Sequence, residues 1–127
     1  MKAINEKNFD LFDELCSPDY VWHGQASPTI REDVRGLENF KKAVMEFTTA
    51  MPDLKVVIED IIAEGDRVAV RFTESGTHTG GTFAGIPPTG KKVIWTGIGI
   101  YRIENGKLTE EWFAEDAFGI MKQLGAI

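Results

Sequence analysis

A chain of 127 residues is long enough for one domain with its own hydrophobic core, and 43% hydrophobic and 27% charged residues exclude a disordered protein. The net charge of −6 argues against nucleic acid as a partner, because phosphate groups are bound by basic surfaces. No apolar run reaches the roughly 18 residues of a membrane span. The N-terminus lacks a signal-peptide core, and the single cysteine, Cys16, cannot form an internal disulfide. We therefore expect one cytoplasmic domain over residues 1–127, with no membrane or nucleic-acid partner.

The first half of the chain has helical patterns. Residues 8–16 predict a short helix capped by Asn8, residues 20–23 a strand, and residues 24–36 a loop. The strongest helix prediction covers residues 37–50. There, apolar side chains recur every three or four positions: Leu37, Phe40, Val44, Phe47 and Met51.

The second half of the chain predicts two hairpins. Their strands cover residues 54–62, 67–75, 92–103 and 107–115. Gly65-Asp66 and Asn105-Gly106 supply the turns, and residues 117–124 predict a closing helix. Helices followed by long antiparallel strands indicate an α+β fold. We expect a curved antiparallel sheet with helices on its concave face, enclosing a pocket.

Several familiar site motifs fail in this sequence. Residues 85–91 match the GxxxxGK of a phosphate loop, but Lys92 replaces the required Ser or Thr and the two prolines remove N–H donors. We interpret residues 79–90 as a loop at the rim of the pocket. His23 and His78 are the only histidines and have no metal-site spacing, and Cys16 is expected in the core. We therefore expect neither a metal nor a cofactor.

Counting outward from the Asn105-Gly106 turn predicts which side chains of the last hairpin share a face. Glu104 pairs with Lys107, and an unbroken ladder then pairs Tyr101 with Glu110. Paired residues point to the same side of a sheet. Provided that no bulge intervenes, one face holds three large aromatic side chains, two aliphatic ones and two carboxyls: Trp95, Tyr101, Ile103, Leu108, Glu110, Trp112 and Asp116.

The carboxyls of this face are candidates for proton transfer. A carboxylic acid beside Trp rings is poorly solvated, and burial raises the pKa of such a group toward neutrality. Asp116 lies where the cavity mouth is expected, so it is the candidate general acid or base, although it could equally cap the helix that begins at Ala117. Glu110 either contacts a ligand or pairs with Tyr101 or an arginine.

The two histidines have two interpretations each. His78, in Gly76-Thr77-His78-Thr79-Gly80-Gly81, is either a second proton-transfer residue or a turn residue that binds backbone groups. His23 is equally ambiguous. The candidate catalytic set is therefore Asp116, His78 and His23. The candidate substrate pocket holds five further side chains: Trp22, Trp95, Tyr101, Glu110 and Trp112.

The opposite face of the hairpin is partly apolar. Ile98, Ile100 and Phe113 fall on it, and such a patch is costly to leave in water. We therefore expect this face to be buried in a homodimer.

Two segments resemble the GTHxG and GIPPTGK signature of SnoaL-like polyketide cyclases, also called ester cyclases. They are residues 76–80 and 85–91. The resemblance covers nearly the whole chain. It includes several shorter matches: Asp19-Tyr20-Val21-x-His23, Met51-Pro52-Asp53-Leu54, Arg102, Asn105-Gly106-Lys107, Glu110-x-Trp112, Asp116 and Gln123-Leu124-Gly125.

The resemblance implies a cone-shaped α+β barrel of the ketosteroid-isomerase type, usually a homodimer. It also implies ring closure by intramolecular aldol condensation without metal or cofactor. The family's general acid or base follows the E-x-W segment, which matches Asp116. Because the fold also hosts isomerases, dehydratases, hydrolases and binding proteins, it does not by itself define a reaction.

The leading hypothesis is therefore a cofactor-independent lyase or isomerase that removes a proton next to a carbonyl of an apolar small molecule. The alternative is a non-catalytic module that binds an apolar small molecule. An epoxide hydrolase would need an Asp–Arg–Asp arrangement, and the predicted Asp60–Arg71 pair is more simply a cross-strand ion pair. The position of Asp116 distinguishes the enzyme from the binding module. A carboxylate inside the cavity favours the enzyme, and a helix cap outside the cavity favours the binding module.

Overall fold

The computed structural model describes residues 1–24 and 32–127. Part of the predicted loop 24–36, residues 25–31, lies outside the described residues. The elements, in chain order, are α1 (Lys2–Asn5), α2 (Leu11–Leu15), β1 (Cys16–His23), β2 (Val34–Arg35), α3 (Leu37–Ala50), β3 (Lys55–Glu64), β4 (Arg67–Thr77), β5 (Lys92–Glu104), β6 (Lys107–Glu115) and α4 (Ala117–Leu124). None of the helices described is long and apolar enough to cross a membrane.

The described strands form one six-stranded sheet in the order β2-β1-β6-β5-β4-β3. All neighbours are antiparallel except β1 and β6, which run parallel. The α+β prediction is confirmed. The sheet is mixed and not closed, since β1 and β6 run parallel and β2 and β3 lie at the two ends of the strand order.

The two longer helices have the predicted bounds. In α3 the residues Leu37, Phe40 and Val44 are buried, so the apolar stripe packs inward as its spacing predicts. The helix α4 ends at Gly125, whose φ of 80° is left-handed backbone that favours glycine. The local sequence pattern is sufficient to predict the bounds of these two helices, because a residue that terminates a helix follows each of them.

The predicted helix over residues 8–16 is shorter than expected. It covers only α2, and Cys16 already begins β1. Pro18 lies inside β1, where the register with β6 shifts between Cys16 and Val21. Proline, which has no N–H to donate, is tolerated at such an irregularity in the ladder.

A β-bulge in the last hairpin changes which residues of β6 face inward. The ladder begins as predicted, with Ile103 opposite Leu108, but the next pair is Arg102 with Glu110. Thr109 is therefore an extra residue in β6. Because strand side chains alternate, one extra residue moves every later side chain to the other face of the sheet.

The predicted faces of β6 are consequently wrong beyond the bulge. Glu111, Phe113 and Glu115 line the interior, whereas Glu110 and Trp112 lie on the outer face. On β5 the prediction holds, since Trp95 is buried and Tyr101 lines the interior, while Ile98 and Ile100 are exposed.

Candidate functional site

A cavity of about 290 Å³ lies between the helices and the inner face of the sheet. Its walls are mostly apolar, as expected for a small-molecule site. Eight aromatic side chains line it: Phe12, Tyr20, Trp22, Phe40, Phe47, Phe72, Tyr101 and Phe113. Polar chemistry is confined to a few side chains of β1, β4, β5 and β6.

Glu111 is the central polar group of this cavity. Its side chain is buried, and the Tyr20 hydroxyl donates a 2.7 Å hydrogen bond to its Oε1. Tyr101 lies opposite Glu111 in the β5–β6 ladder, and its phenol also favours the charged carboxylate. β6 therefore carries the carboxyl, while its neighbours β1 and β5 each supply a phenol.

The environment of Glu111 prepares it for proton transfer near neutral pH. Burial raises the pKa of its carboxyl to about 7, although the hydrogen bond from Tyr20 and the neighbouring Tyr101 phenol act in the opposite direction. Burial, and then the charge of Glu111, raises the pKa of both phenols. The phenols therefore stay protonated as donors while Glu111 changes charge.

Two further carboxyls, Glu74 and Glu115, line the same cavity. Burial, followed by the charges of Glu115 and Glu111, raises the pKa of Glu74 to about 8. The indole Nε1 of Trp95 donates a 3.0 Å hydrogen bond to Glu115 Oε2. Three carboxyls thus share an apolar enclosure.

His23 and Glu110 come together, but outside the cavity. The ring nitrogens of His23 lie 3.0 Å from Asp33 Oδ2 and 2.8 Å from Glu110 Oε2, and its ring stacks on Trp112 at 4.9 Å. The Arg67 guanidinium covers the Trp112 ring at 4.8 Å. None of these residues lines the cavity, so the expected pocket positions of His23, Glu110 and Trp112 are wrong.

His78 holds the loop that follows β4. It is fully buried, its Nε2 donates a 2.6 Å hydrogen bond to the Gly81 carbonyl, and the Thr89 hydroxyl lies 3.3 Å from Nδ1. His78 does not line the cavity. These contacts match the turn interpretation. Residues 79–90 lie against the end of α3, where Gly80 N–H donates to the Ala50 carbonyl, and not at the cavity rim as expected.

Asp116 caps α4. Its Oδ1 accepts a 2.9 Å hydrogen bond from Gly119 N–H, and its side chain is exposed and does not line the cavity. The predicted placement of Asp116 beside Trp112 inside the pocket is therefore wrong, because the bulge precedes both residues. Of the two interpretations, the geometry matches the cap.

The cap leads to a stability prediction for two variants. Asp116→Ala removes the oxygen that satisfies Gly119 N–H and should lower the free energy of unfolding by about 1 kcal/mol, whereas Asp116→Asn keeps a capping oxygen and should change it little. Urea unfolding of both variants measures this. Equal stability of Asp116→Ala and the original protein would contradict a stabilising cap.

Some of the remaining predicted residues line the cavity, and others are buried outside it. Trp22 and Tyr101 line the cavity as expected, whereas Trp95 is buried in the adjoining core. Cys16 is buried, and burial raises the pKa of its thiol to about 11, which makes it a poor nucleophile.

The residues that an epoxide hydrolase or a metal site would use do not converge. Arg71 Nη2 lies 2.7 Å from Asp60 Oδ2 in an exposed cross-strand pair outside the cavity. In the part of the chain that the structure describes, no three His, Cys, Asp or Glu side chains could hold a metal ion together.

Sequence reasoning missed Tyr20, Glu74 and Glu111. An unbroken ladder places Glu111 on the outer face, and the bulge at Thr109 has no local sign apart from the Glu110-Glu111 pair, which interrupts the alternation of β6. A weak signal for Glu74 existed, since it lies in a strand two residues from Phe72 and therefore on the same face.

The sequence profile of SnoaL-like polyketide cyclases matches residues 1–124. TsrD from Streptomyces laurentii has a similar structure, with 30% identity, a TM-score of 0.84, and coverage of 98% of this chain and 88% of that one. AclR from Streptomyces galilaeus, provisionally assigned as a hydroxylase, is 30% identical with a TM-score of 0.81, over 99% and 90% of the chains. IdmH from Streptomyces antibioticus, provisionally assigned as a polyketide cyclase, is 30% identical with a TM-score of 0.81, over 98% and 91%. No curated protein matches the chain.

Proposed function

Since the chain belongs to the SnoaL-like polyketide cyclase family, we propose that it is a cofactor-independent enzyme that removes a proton next to a carbonyl of an apolar small molecule. The enolate formed would then close a ring or enter a related lyase or isomerase step. The observation that carries this proposal is Glu111, a buried carboxyl with a pKa of about 7 in an apolar cavity.

Glu111 takes the role of the base in this proposal. Its carboxylate accepts the proton from the carbon next to the carbonyl, and the electrons of that C–H bond form the enolate. In an aldol ring closure the enolate carbon attacks a second carbonyl of the same molecule. The resulting alkoxide then takes the proton back from Glu111, so the carboxylate is restored.

Tyr20 and Tyr101 support this cycle. The Tyr20 hydroxyl hydrogen-bonds to Glu111 and orients the carboxyl, and both phenols stabilise its ionised form. The aromatic walls exclude water and pack against an apolar substrate, which strengthens this hydrogen bond. His78 and His23, the other two catalytic candidates from the sequence, are held by contacts outside the cavity.

One observation favours the second candidate, a binding module without catalysis. Asp116, the family's expected acid or base, caps a helix outside the cavity. If Glu111 is only a ligand contact, the cavity holds an apolar molecule and transforms nothing.

Proton exchange in heavy water decides between the two candidates. β-Tetralone is an apolar bicyclic ketone whose hydrogens next to the carbonyl exchange measurably in NMR spectra. An enzyme of the proposed kind accelerates this exchange above the buffer rate in proportion to protein concentration. A pure binding module binds the ketone and leaves the exchange rate at the buffer value, which would refute the catalytic proposal.

We also propose that the outer face of β5 is buried in a homodimer. Ile94, Ile98 and Ile100 are exposed there by 52%, 56% and 40%. Phe113, which the sequence placed on this face, lines the cavity instead. The exposed isoleucines remain an apolar patch that association would remove from water.

The dimer proposal predicts the effect of a charge in the patch. The original protein should have the mass of a dimer at micromolar concentration, and Ile98→Asp should give monomers because it places a charge in the interface. Phe118→Asp, at an exposed position on α4, is the matched control and should remain dimeric. Light scattering after size-exclusion chromatography measures the masses. A monomeric original protein would refute the proposal.

A further inference from the structure

Glu74 is a partly buried carboxyl of the cavity wall that the proposed chemistry does not use. It lies on β4 opposite Trp95 of β5 and lines the cavity. Among the described residues no hydrogen bond or ion pair from a side chain reaches it, and the one cationic group that acts on it is the amino group of Met1. Buried carboxylates in proteins are ordinarily paired or hydrogen-bonded, so an unpaired one costs stability. A group retained at such a cost is a candidate for ligand recognition.

The described side chains in the cavity wall that can carry a charge at neutral pH are acidic. Glu74, Glu111 and Glu115 contribute three carboxyls, and among the residues that the structure describes no Lys, Arg or His side chain lines the cavity. The amino group of Met1, which also lines the cavity, has its pKa lowered by burial, so its charged form is disfavoured. An anionic ligand would meet carboxyls and no cationic side chain among the described lining residues, whereas a cation would meet carboxyls that can ionise beside it.

The walls suit an organic cation as well. The faces of aromatic rings attract cations, and the lining around Glu74 includes Phe72 and Tyr101. The remaining walls are apolar and take the hydrocarbon part of a ligand. Carboxyl, aromatic rings and apolar volume are thus combined in one enclosure.

We propose that the cavity selects ligands with a protonated amine on an apolar body, and that Glu74 is the counter-ion of that amine. This inference rests on the proposed function, because it names the class of substrate that the same cavity accepts. The ammonium donates charge-assisted hydrogen bonds to the Glu74 carboxylate, while Glu111 remains available to the carbon next to the carbonyl.

Binding of such a cation is linked to proton release. Glu115, Glu111 and the Met1 amino group are the charged groups that act on Glu74, and its raised pKa leaves most of it protonated at pH 7. A bound ammonium lowers that pKa, so Glu74 loses its proton to solvent. A neutral ligand of the same shape releases none. The preference for the amine therefore grows as the pH rises from about 6 to 8.5.

Three probes of nearly equal shape test the inference by calorimetry: naphthylmethylamine, naphthalenemethanol and naphthoate. The amine should bind roughly tenfold or more tightly than the alcohol, and the carboxylate most weakly. At pH 7 the amine's binding enthalpy should vary with the ionisation enthalpy of the buffer, which reports released protons. Glu74→Gln should remove both the amine preference and the proton release while the alcohol still binds.

Glu59→Gln is the matched control, because Glu59 is an exposed carboxyl on β3 and its loss changes the net charge equally. It should keep the amine preference. Equal affinity of amine and alcohol, no amine binding at millimolar concentration, or an unchanged preference in Glu74→Gln would each overturn the inference. If Glu74→Gln does not fold, the three probes on the original protein still decide. Because no turnover is measured, these results are independent of the proton-exchange test of Glu111.

Discussion

Replacing Glu111 by glutamine should lower the rate of ketone proton exchange by about 100-fold or more. Glutamine has nearly the same shape and can still accept the hydrogen bond from Tyr20, but it cannot act as the base. NMR exchange rates of β-tetralone in heavy water measure the loss. Asp116→Asn is the matched control, and on the observed geometry it should keep nearly the original rate.

The opposite result would restore the mechanism expected from the family resemblance. If Asp116→Asn loses the activity and Glu111→Gln keeps it, the base is Asp116, and the cap must open during the reaction. If both variants keep the original rate, neither carboxyl is the base. Circular dichroism and thermal unfolding of each variant confirm that any lost activity is not lost folding.

The pH dependence of the exchange rate tests the same assignment independently. The base is active when ionised, so the rate should rise with pH through about 7, the pKa of Glu111. Tyr20→Phe removes a hydrogen bond to the charged form, which raises this pKa further and moves the rise to higher pH. A pH profile that does not move in Tyr20→Phe would contradict the assignment to Glu111.

The second large effect concerns the stability of the protein as the pH rises. The pKa of Glu74 is raised from 4.5 to about 8, so the folded state binds a proton that the unfolded state has already released in this interval. The contribution of Glu74 is fully present below pH 4.5 and is lost as the pH rises through about 8. Glu111, raised to about 7, acts in the same direction.

Glu74→Gln should remove the Glu74 part of this loss. Each unit of pKa shift corresponds to about 1.4 kcal/mol, so the variant should lose on the order of 4 kcal/mol less than the original protein between pH 5 and 8.5. Urea unfolding at four pH values in this range measures the difference. Glu59→Gln, at its exposed site, should follow the original protein. Parallel curves for Glu74→Gln and the original protein would show that Glu74 is ionised normally.

The sequence by itself determined the family and most elements from residue 37 onward. The helices α3 and α4 and the strands β5 and β6 were predicted within one residue of their bounds, because an apolar period, a proline, a glycine cap or an Asn-Gly turn is a local signal. The GTHxG and GIPPTGK segments carried the family assignment. Both conclusions depend on residues that are neighbours in the chain.

Only the tertiary structure decided the chemistry of the cavity. The extra residue Thr109 places Glu111 on the inner face of the sheet, where an unbroken ladder would place Glu110. This placement depends on how β6 pairs with β5. The phenol that donates to Glu111 belongs to Tyr20, 91 residues earlier in the chain, and meets it because β1 runs parallel beside β6. Strand register and the pairing of distant strands depend on the packing of the whole sheet. A local sequence pattern is therefore not sufficient to predict them.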